Sequence, residues 1–258
     1  MKKLIAATMA LIMMFMLCAC KEEAVDDAAV PVSNDGADAA SAVPENTAGM
    51  NTGGAYGSNA SAKVLSSVAY AYAGTSASTL YAAVEYENNG DCPIVISSAK
   101  FTASCGGISE THEFTPELIE YIVLLPGESS YLAQWIPESS IEPGAEVTLN
   151  AELSAKAHDQ RGARIKVDHL FVADNYPSLS TLSGRLTCQT GKRCSTNMIY
   201  VGFYDAEDRF IGAWYFSKNA LFDGGEQKNF VIDMNGFPIK KLSEKAAGIK
   251  GIGFGFDF

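Results

Sequence analysis

Histidine is scarce in this chain, with three in 258 residues. His112, His158 and His169 stand far apart and do not cluster with cysteine at the spacing a zinc site needs, so no metal centre is expected. No Gly-x-Ser-x-Gly elbow is present to expose a nucleophilic serine. Asp168 and His169 are adjacent, but neighbours on a strand point to opposite faces and cannot form a dyad there. The Asp205-Ala206-Glu207-Asp208 stretch lacks the spaced oxygens of a calcium loop and reads as a solvated turn. Gly251-x-Gly253-x-Gly255 has no helix after it to receive a phosphate. Nothing singles out two carboxylates as a sugar-cleaving pair. Basic residues are also few: 19 Lys and Arg against 30 Asp and Glu give a net charge of −11. Phosphate backbones are held by clustered Lys and Arg, so nucleic acid is excluded as a partner. These absences argue against an enzyme and against any cofactor.

What is present begins at the N-terminus. Lys2 and Lys3 precede an uncharged apolar run from Leu4 to Leu17, which is shorter than the roughly 20 residues needed to span a bilayer. A positive start, an apolar stretch and small residues are the parts of an export signal. It closes on Leu17-Cys18-Ala19-Cys20, which resembles the lipobox of bacterial lipoproteins. That resemblance implies removal of residues 1–19 and a diacylglyceryl thioether on Cys20, whose thiolate is the nucleophile such a modification requires. It places the protein on the extracytoplasmic face of the bacterial cell membrane, held by lipid. Two or three acyl chains give stable anchoring where one does not. Removal of Lys2 and Lys3 takes the net charge from −11 to −13. Anionic lipid heads would not attract such a chain, which leaves the covalent anchor as its link to the membrane.

Residues 20–62 form a second kind of segment. From Lys21 to Ala62 the composition is Ala, Asp, Glu, Ser, Asn and Gly, with almost no large apolar side chain to offset the entropy of ordering. A flexible tether of this length averages roughly 35 Å between its ends, with a stretched limit of about 140 Å.

From Lys63 the pattern turns to period two. Val68, Tyr70 and Tyr72 alternate with small residues, as do Leu80, Ala82, Val84 and Tyr86, and Val147, Leu149, Ala151 and Leu153. Ile94 to Phe101 is β-branched and aromatic. Turn signals separate these runs at Asn88-Asn89-Gly90-Asp91, Cys105-Gly106-Gly107, Pro126-Gly127-Glu128 and Pro143-Gly144. Thr115 and Pro116 suit the start of a short helix. Further strands are expected at Leu182–Cys188, Asn197–Tyr204, Phe210–Phe216 and Phe230–Met234, with a short helix at Pro238–Ala247. In Gly251–Phe258 the apolar side chains fall on one face and Gly or Asp on the other, so something should pack close against the glycine face.

The two halves match when slid by 102 positions. Val84 then meets Leu186, Cys92 meets Cys194 and Phe101 meets Phe203. Pro126-Gly127-Glu128 corresponds to Gly224-Gly225-Glu226 after a short deletion. Two units of about 95 residues, each with several short strands, have the size of a β-sandwich pair. The expected architecture is all-β, with antiparallel sandwich domains at 63–160 and 161–258. The alternative is one larger all-β domain.

Gly184-Arg185-Leu186-Thr187-Cys188, Val201-Gly202-Phe203-Tyr204-Asp205 and Phe210-Ile211-Gly212 together resemble the FxLYD domain, a small Ig-like or fibronectin-like sandwich of bacterial surface lipoproteins. Asp208 and Arg209 stand where that family usually has glycine. The first half is similar more loosely, through Val84-Glu85-Tyr86-Glu87-Asn88-Asn89 and its Pro-Gly-Glu turn. The resemblance implies tandem Ig-like modules and an exported setting, and it carries no catalytic residue.

Four cysteines follow Cys20. Cys92 and Cys105 lie thirteen apart on what reads as one strand. Cys188 and Cys194 flank a five-residue turn and would face each other across a hairpin, which makes them the candidate disulfide; the alternative is four reduced, buried thiols. Trp135 and Trp214, with Tyr215 and Phe216, are the candidate ligand-contact aromatics. Large residues on both faces of the Trp214 strand point instead to burial on both sides, at a domain–domain contact. The function expected is a non-catalytic binding module, with a protein or an envelope polysaccharide as partner. Carbohydrate or solute binding is the alternative, and a hydrolase of unrecognised type comes third.

Overall fold

Alternating side chains and frequent turns produce, among the described residues, twelve antiparallel strands and a single helical turn. The structure, a computed structural model, describes residues 56–256 except 75–76, 117–120, 160–161, 176–178 and 190–192. The leader, Cys20, the tether up to residue 55 and the helix expected after Pro116 lie outside the described residues. The first six strands are β1 (Ala62–Ala73), β2 (Ser78–Asn88), β3 (Ile94–Cys105), β4 (Ile108–Phe114), β5 (Ser129–Pro137) and β6 (Thr148–Ala157). The next six are β7 (Ala163–Asn175), β8 (Leu179–Cys188), β9 (Cys194–Tyr204), β10 (Phe210–Phe222), β11 (Gln227–Asp233) and β12 (Gly248–Phe256). Helix α1 is the single turn Leu242–Lys245. It is shorter than the Pro238–Ala247 span expected, because Lys241 before it is left-handed and Ala246 after it is extended. Asp174 of β7 holds its start, accepting from Ser243 N at 3.1 Å and Ser243 Oγ at 2.6 Å.

The sheet orders reveal one plan used twice. In the first half β1-β2-β5 form one sheet and β4-β3-β6 another. The second half has a single sheet of order β10-β9-β12-β7-β8-β11. It is the same pair of three-stranded sheets, β7-β8-β11 and β10-β9-β12, joined by a short β12–β7 ladder from Ala163↔Gly255 to Ile165↔Gly253. The corresponding strands β1 and β6 approach one another without a ladder, and Ser67 Oγ donates to Leu149 O across them at 3.0 Å. The six-stranded sheet curls until its two edges meet, with the Phe216 and Phe230 rings 5.0 Å apart and Lys228 Nζ donating to Leu221 O.

The Pro-Gly-Glu and Gly-Gly-Glu turns are also built alike. Gly127 N donates to Asn88 O at 2.8 Å, and Gly225 N to Cys188 O at 2.9 Å. Each turn's glutamate accepts from the backbone three residues before it: Leu125 N to Glu128 at 2.6 Å, and Asp223 N to Glu226 at 2.9 Å. This matches Asn88 with Cys188, so Leu186 takes the place of Tyr86 rather than Val84. Sliding by two residues keeps every side chain on its own face, which is why the periodic pattern alone did not register the difference.

β8 and β9 are not a hairpin, contrary to expectation. β7 and β12 run between them, because the chain crosses from one face of the sandwich to the other after β8, just as it does between β2 and β3. The glycine face of β12 does receive close neighbours. A Cβ at Gly251 would lie 2.9 Å from Val167 Cγ1, and one at Gly253 2.7 Å from Ile165 Cβ.

Two apolar clusters result. One fills the second half, around Leu182, Leu186, Ile199, Val201, Phe203 and Phe222. The other fills the first half and continues into the second through Met198, Tyr200, Tyr204, Phe210, Ala213 and Phe254. β9 is therefore buried on both faces, and residues Gly53–Phe258 form one compact unit.

Candidate functional site

The continuation between the clusters is a seam of aromatic side chains. Outward-facing residues of β1-β2-β5 pack on outward-facing residues of β10-β9-β12. Tyr81 is wholly buried. Its hydroxyl donates to Ala213 O at 2.5 Å and accepts from Ala213 N at 2.7 Å. Ala213 follows the bulge at Phe210–Gly212, on the edge strand β10, where backbone groups lack a strand partner; the tyrosine supplies one. Tyr70 and Tyr72 donate in the same manner to Ile211 O at 3.0 Å and Gly236 O at 3.2 Å.

Further along, Tyr131 lies against the backbone of Gly202. A Cβ there would stand 2.3 Å from the Tyr131 ring, so the close approach requires glycine. The Tyr204 hydroxyl donates to Glu85 Oε1 at 2.6 Å, and Tyr131 donates to Tyr204 at 2.9 Å. Burial, followed by the hydrogen bond to the Glu85 carboxylate, pushes the Tyr204 hydroxyl well above the ordinary tyrosine range. The proton it keeps is the one it shares with Glu85. Lys250 Nζ sits 4.0 Å over the Tyr204 ring. At the far end Arg164 forms two hydrogen bonds with Glu128, donates to Val123 O at 2.8 Å and lies 4.7 Å over the Phe254 ring.

Trp135 and Trp214 meet in this seam, edge to face, with ring centroids 5.1 Å apart. The Trp135 indole N–H donates to Gly236 O at 3.1 Å. Tyr81 lies 5.1 Å from Trp135 and Phe237 5.9 Å from Trp214. The contact between halves inferred from the Trp214 strand is therefore present. Tyr215, on the opposite face of that strand, lies 6.1 Å from Trp135 and stacks on Tyr200 at 5.9 Å, but it is 36% exposed, so the burial expected on both sides of the strand is incomplete. Beside these two rings is a cleft of about 230 Å³, lined by Phe114, Leu132, Gln134, Met198, Tyr200 and Tyr215.

The other candidate residues are dispersed. Cys20 lies outside the described residues. Cys188 and Cys194 are both buried in the second cluster, on strands separated by β7 and β12 rather than across a hairpin. His169 sits in a bulge of β7 with φ of 51°, which brings its Nε2 to 4.0 Å from Asp168 Oδ1. The bulge undoes the opposite-face geometry expected of adjacent strand residues, but Asp168 is engaged elsewhere. It accepts from Arg185 Nε at 2.9 Å and Nη2 at 3.2 Å, and those bonds hold its carboxyl below the usual range. Asp205 forms the solvated turn expected, accepting from Glu207 N and Arg209 N at 3.0 and 2.9 Å. Among the described residues no three His, Cys, Asp or Glu side chains group as metal ligands.

Sequence reasoning did not name Tyr81, Tyr131 or Arg164, and it used Tyr204 and Glu85 for the family resemblance, not as site residues. The signal was there for the tyrosines: they fall on the face of each strand that faces away from its own core. No protein-family model matches the chain, and no curated protein is similar to it in sequence.

Proposed function

We propose that this chain is a lipid-anchored bacterial surface protein whose folded part is a non-catalytic binding module. In this reading residues 1–19 are a leader, Cys20 carries the lipid, residues 21–62 are a tether, and residues 63–160 and 161–258 are tandem Ig-like sandwiches, the second FxLYD-like. The Ig-like assignment is supported by strand order. β1-β2-β5 with β4-β3-β6 follows the A-B-E and C′-C-F order of that fold, and β7 to β12 repeat it.

One observation carries the binding-module reading: the polar side chains that could do chemistry are engaged in holding strands together. Tyr204, Glu85, Asp168, Asp174 and Arg164 each have protein partners. The loops and the outer faces of β4-β3-β6 and β7-β8-β11 are left to meet a partner, as in other sandwich proteins. The anchor is tested by labelling cells with a fatty acid and fractionating them. Wild type should be labelled and membrane-bound, and Cys20→Ala should be neither; a labelled Cys20→Ala protein would refute it. The binding role is tested by passing solubilised envelope proteins and cell-wall polysaccharide over the immobilised chain. Failure to retain either would count against it.

A second reading, carbohydrate or solute binding, is favoured by the cleft beside Tyr200 and Tyr215. A glycan array comparing wild type with Tyr215→Ala separates the two. Sugar binding lost in the variant supports the second reading, and no sugar binding by wild type removes it. Trp135 and Trp214 serve less well as probes, because their rings hold the seam.

A further inference from the structure

The most exposed large apolar side chains among the described residues are Val231, at 71% of its full accessibility, and Phe171, at 62%. They lie on different strands but in one row. Phe171 of β7 and Val231 of β11 are both cross-strand partners of Ser183 on β8. Cross-strand partners share a face, so the two side chains project from the same surface on either side of a small residue. The adjoining rows are polar apart from Ala173: Asp168–Arg185–Asn229 on one side and Ala173–Thr181–Asp233 on the other. An apolar centre with a polar rim is how interfaces are built.

The repeat strengthens the case. Counting back from the matched turns places Ser183 where the first half has Ala83. Phe171 then stands at the place of Val68, and Val231 at that of Ala133. Ala83 and Ala133 are buried beneath the seam. The face that docks a second sheet in the first half is thus open in the second half, with larger apolar residues at its centre.

The occupant follows from what each available surface offers. Stacking the chain head to tail would bring the outer face of β4-β3-β6 onto this patch. That face carries Lys100, Thr102, Ser104, Thr111, Glu113 and Glu152, and has nothing apolar to meet Phe171 and Val231. A second copy of the patch itself does. With a two-fold axis along β8, Phe171 lies over the partner's Val231, and Ser183 over the partner's Ser183. Asp168 faces the partner's Asn229, and Asp233 the partner's Ala173, so no carboxylate meets another. Arg185 meets the partner's Arg185 on the axis, each neutralised by its own Asp168. The patch carries Lys166 and Arg185 against Asp168 and Asp233, so it is neutral in a chain of net charge −11, and self-association escapes the repulsion that the rest of the surface imposes. We propose that the outer face of β7-β8-β11 is an isologous dimer interface between two copies of this chain, centred on Phe171, Ser183 and Val231.

Sedimentation velocity on the full chain, carrying Cys20→Ser so that no lipid is attached, tests this over about 1 µM to 1 mM. A monomer–dimer equilibrium is expected, weakened at least about tenfold by Val231→Asp. An unchanged circular dichroism spectrum verifies that the variant is folded, as the exposure of Val231 leads one to expect. In a second variant Ser183→Cys, on the axis, should give a disulfide-linked dimer on oxidation, whereas Asn150→Cys on the first half should not. A monomer at every concentration, a dimer indifferent to Val231→Asp, or equal cross-linking by both cysteine variants would overturn the proposal.

Discussion

The sheets β1-β2-β5 and β7-β8-β11 occupy the same place in two copies of one plan, yet one is sealed beneath another sheet and the other faces water. Their inward residues are alike in part: Ala82 and Tyr86 correspond to the buried Leu182 and Leu186, and Leu80 and Val84 to Ser180 and Gly184. Their outward residues are not. Tyr81, Glu85, Tyr131 and Trp135 on the first face are replaced by Thr181, Arg185, Asn229 and Asp233 on the second. Strand order thus follows from alternation and turns, which both halves share. Docking follows from the outward set, which only the first half has in aromatic form.

The largest break in this comparison should come from Tyr81→Ala. It removes a wholly buried ring and leaves Ala213 without its partner on the edge strand. Denaturant unfolding should register a loss of about 3–5 kcal/mol, while Thr181→Tyr at the matching open position should change stability by less than about 0.5 kcal/mol. Equal effects at the two positions would erase the distinction between the faces.

Gly202→Ala comes next. The added methyl meets the Tyr131 ring, and that ring cannot withdraw without giving up its hydrogen bond to Tyr204. A cost of about 1–3 kcal/mol is expected from overpacking. It should shrink in a Tyr131→Ala background, and a double-mutant cycle without coupling would place the strain elsewhere.

Much of the fold was legible from residue order. The alternation of β1, β2, β6 and β12 marked those strands, and the shared Glu turns marked the repeat. β7 was not legible, because the bulge at Asp168–Phe171 interrupts its period. β4 was hidden by polar residues on both sides of an edge strand, and β5 by burial on both faces, which removes alternation. The seam was half legible. Large residues on both sides of the Trp214 strand pointed to a contact between halves. Its tyrosine hydroxyls bond backbone groups more than a hundred residues away, and local pattern does not encode such pairings.

Arg164 should have a smaller effect, since its ion pair with Glu128 is partly exposed, at 24% and 30%. Arg164→Met should cost about 1 kcal/mol, and the wild-type advantage should fall as salt rises. An effect independent of salt would assign the role to packing on Phe254.

The smallest effect concerns pH on the open face. Arg185 holds the Asp168 carboxyl below its usual value. A depressed carboxyl contributes stability that is full above its unfolded pKa of about 3.9 and is lost as pH falls through the lower folded value. Unfolding midpoints measured from about pH 6 down to pH 2 should therefore fall less steeply in Arg185→Gln than in wild type. Identical slopes would remove Asp168 from the acid response.

The most direct test of the seam uses the protein's own reporters. The chain has two tryptophans, and both lie where the halves meet. If the seam fuses two similar sandwiches into one cooperative unit, tryptophan fluorescence and far-ultraviolet circular dichroism should report a single coincident denaturant transition. Loss of the tryptophan signal at lower denaturant, with the β-sheet spectrum still intact, would mean that the halves separate before either unfolds, and would contradict the account.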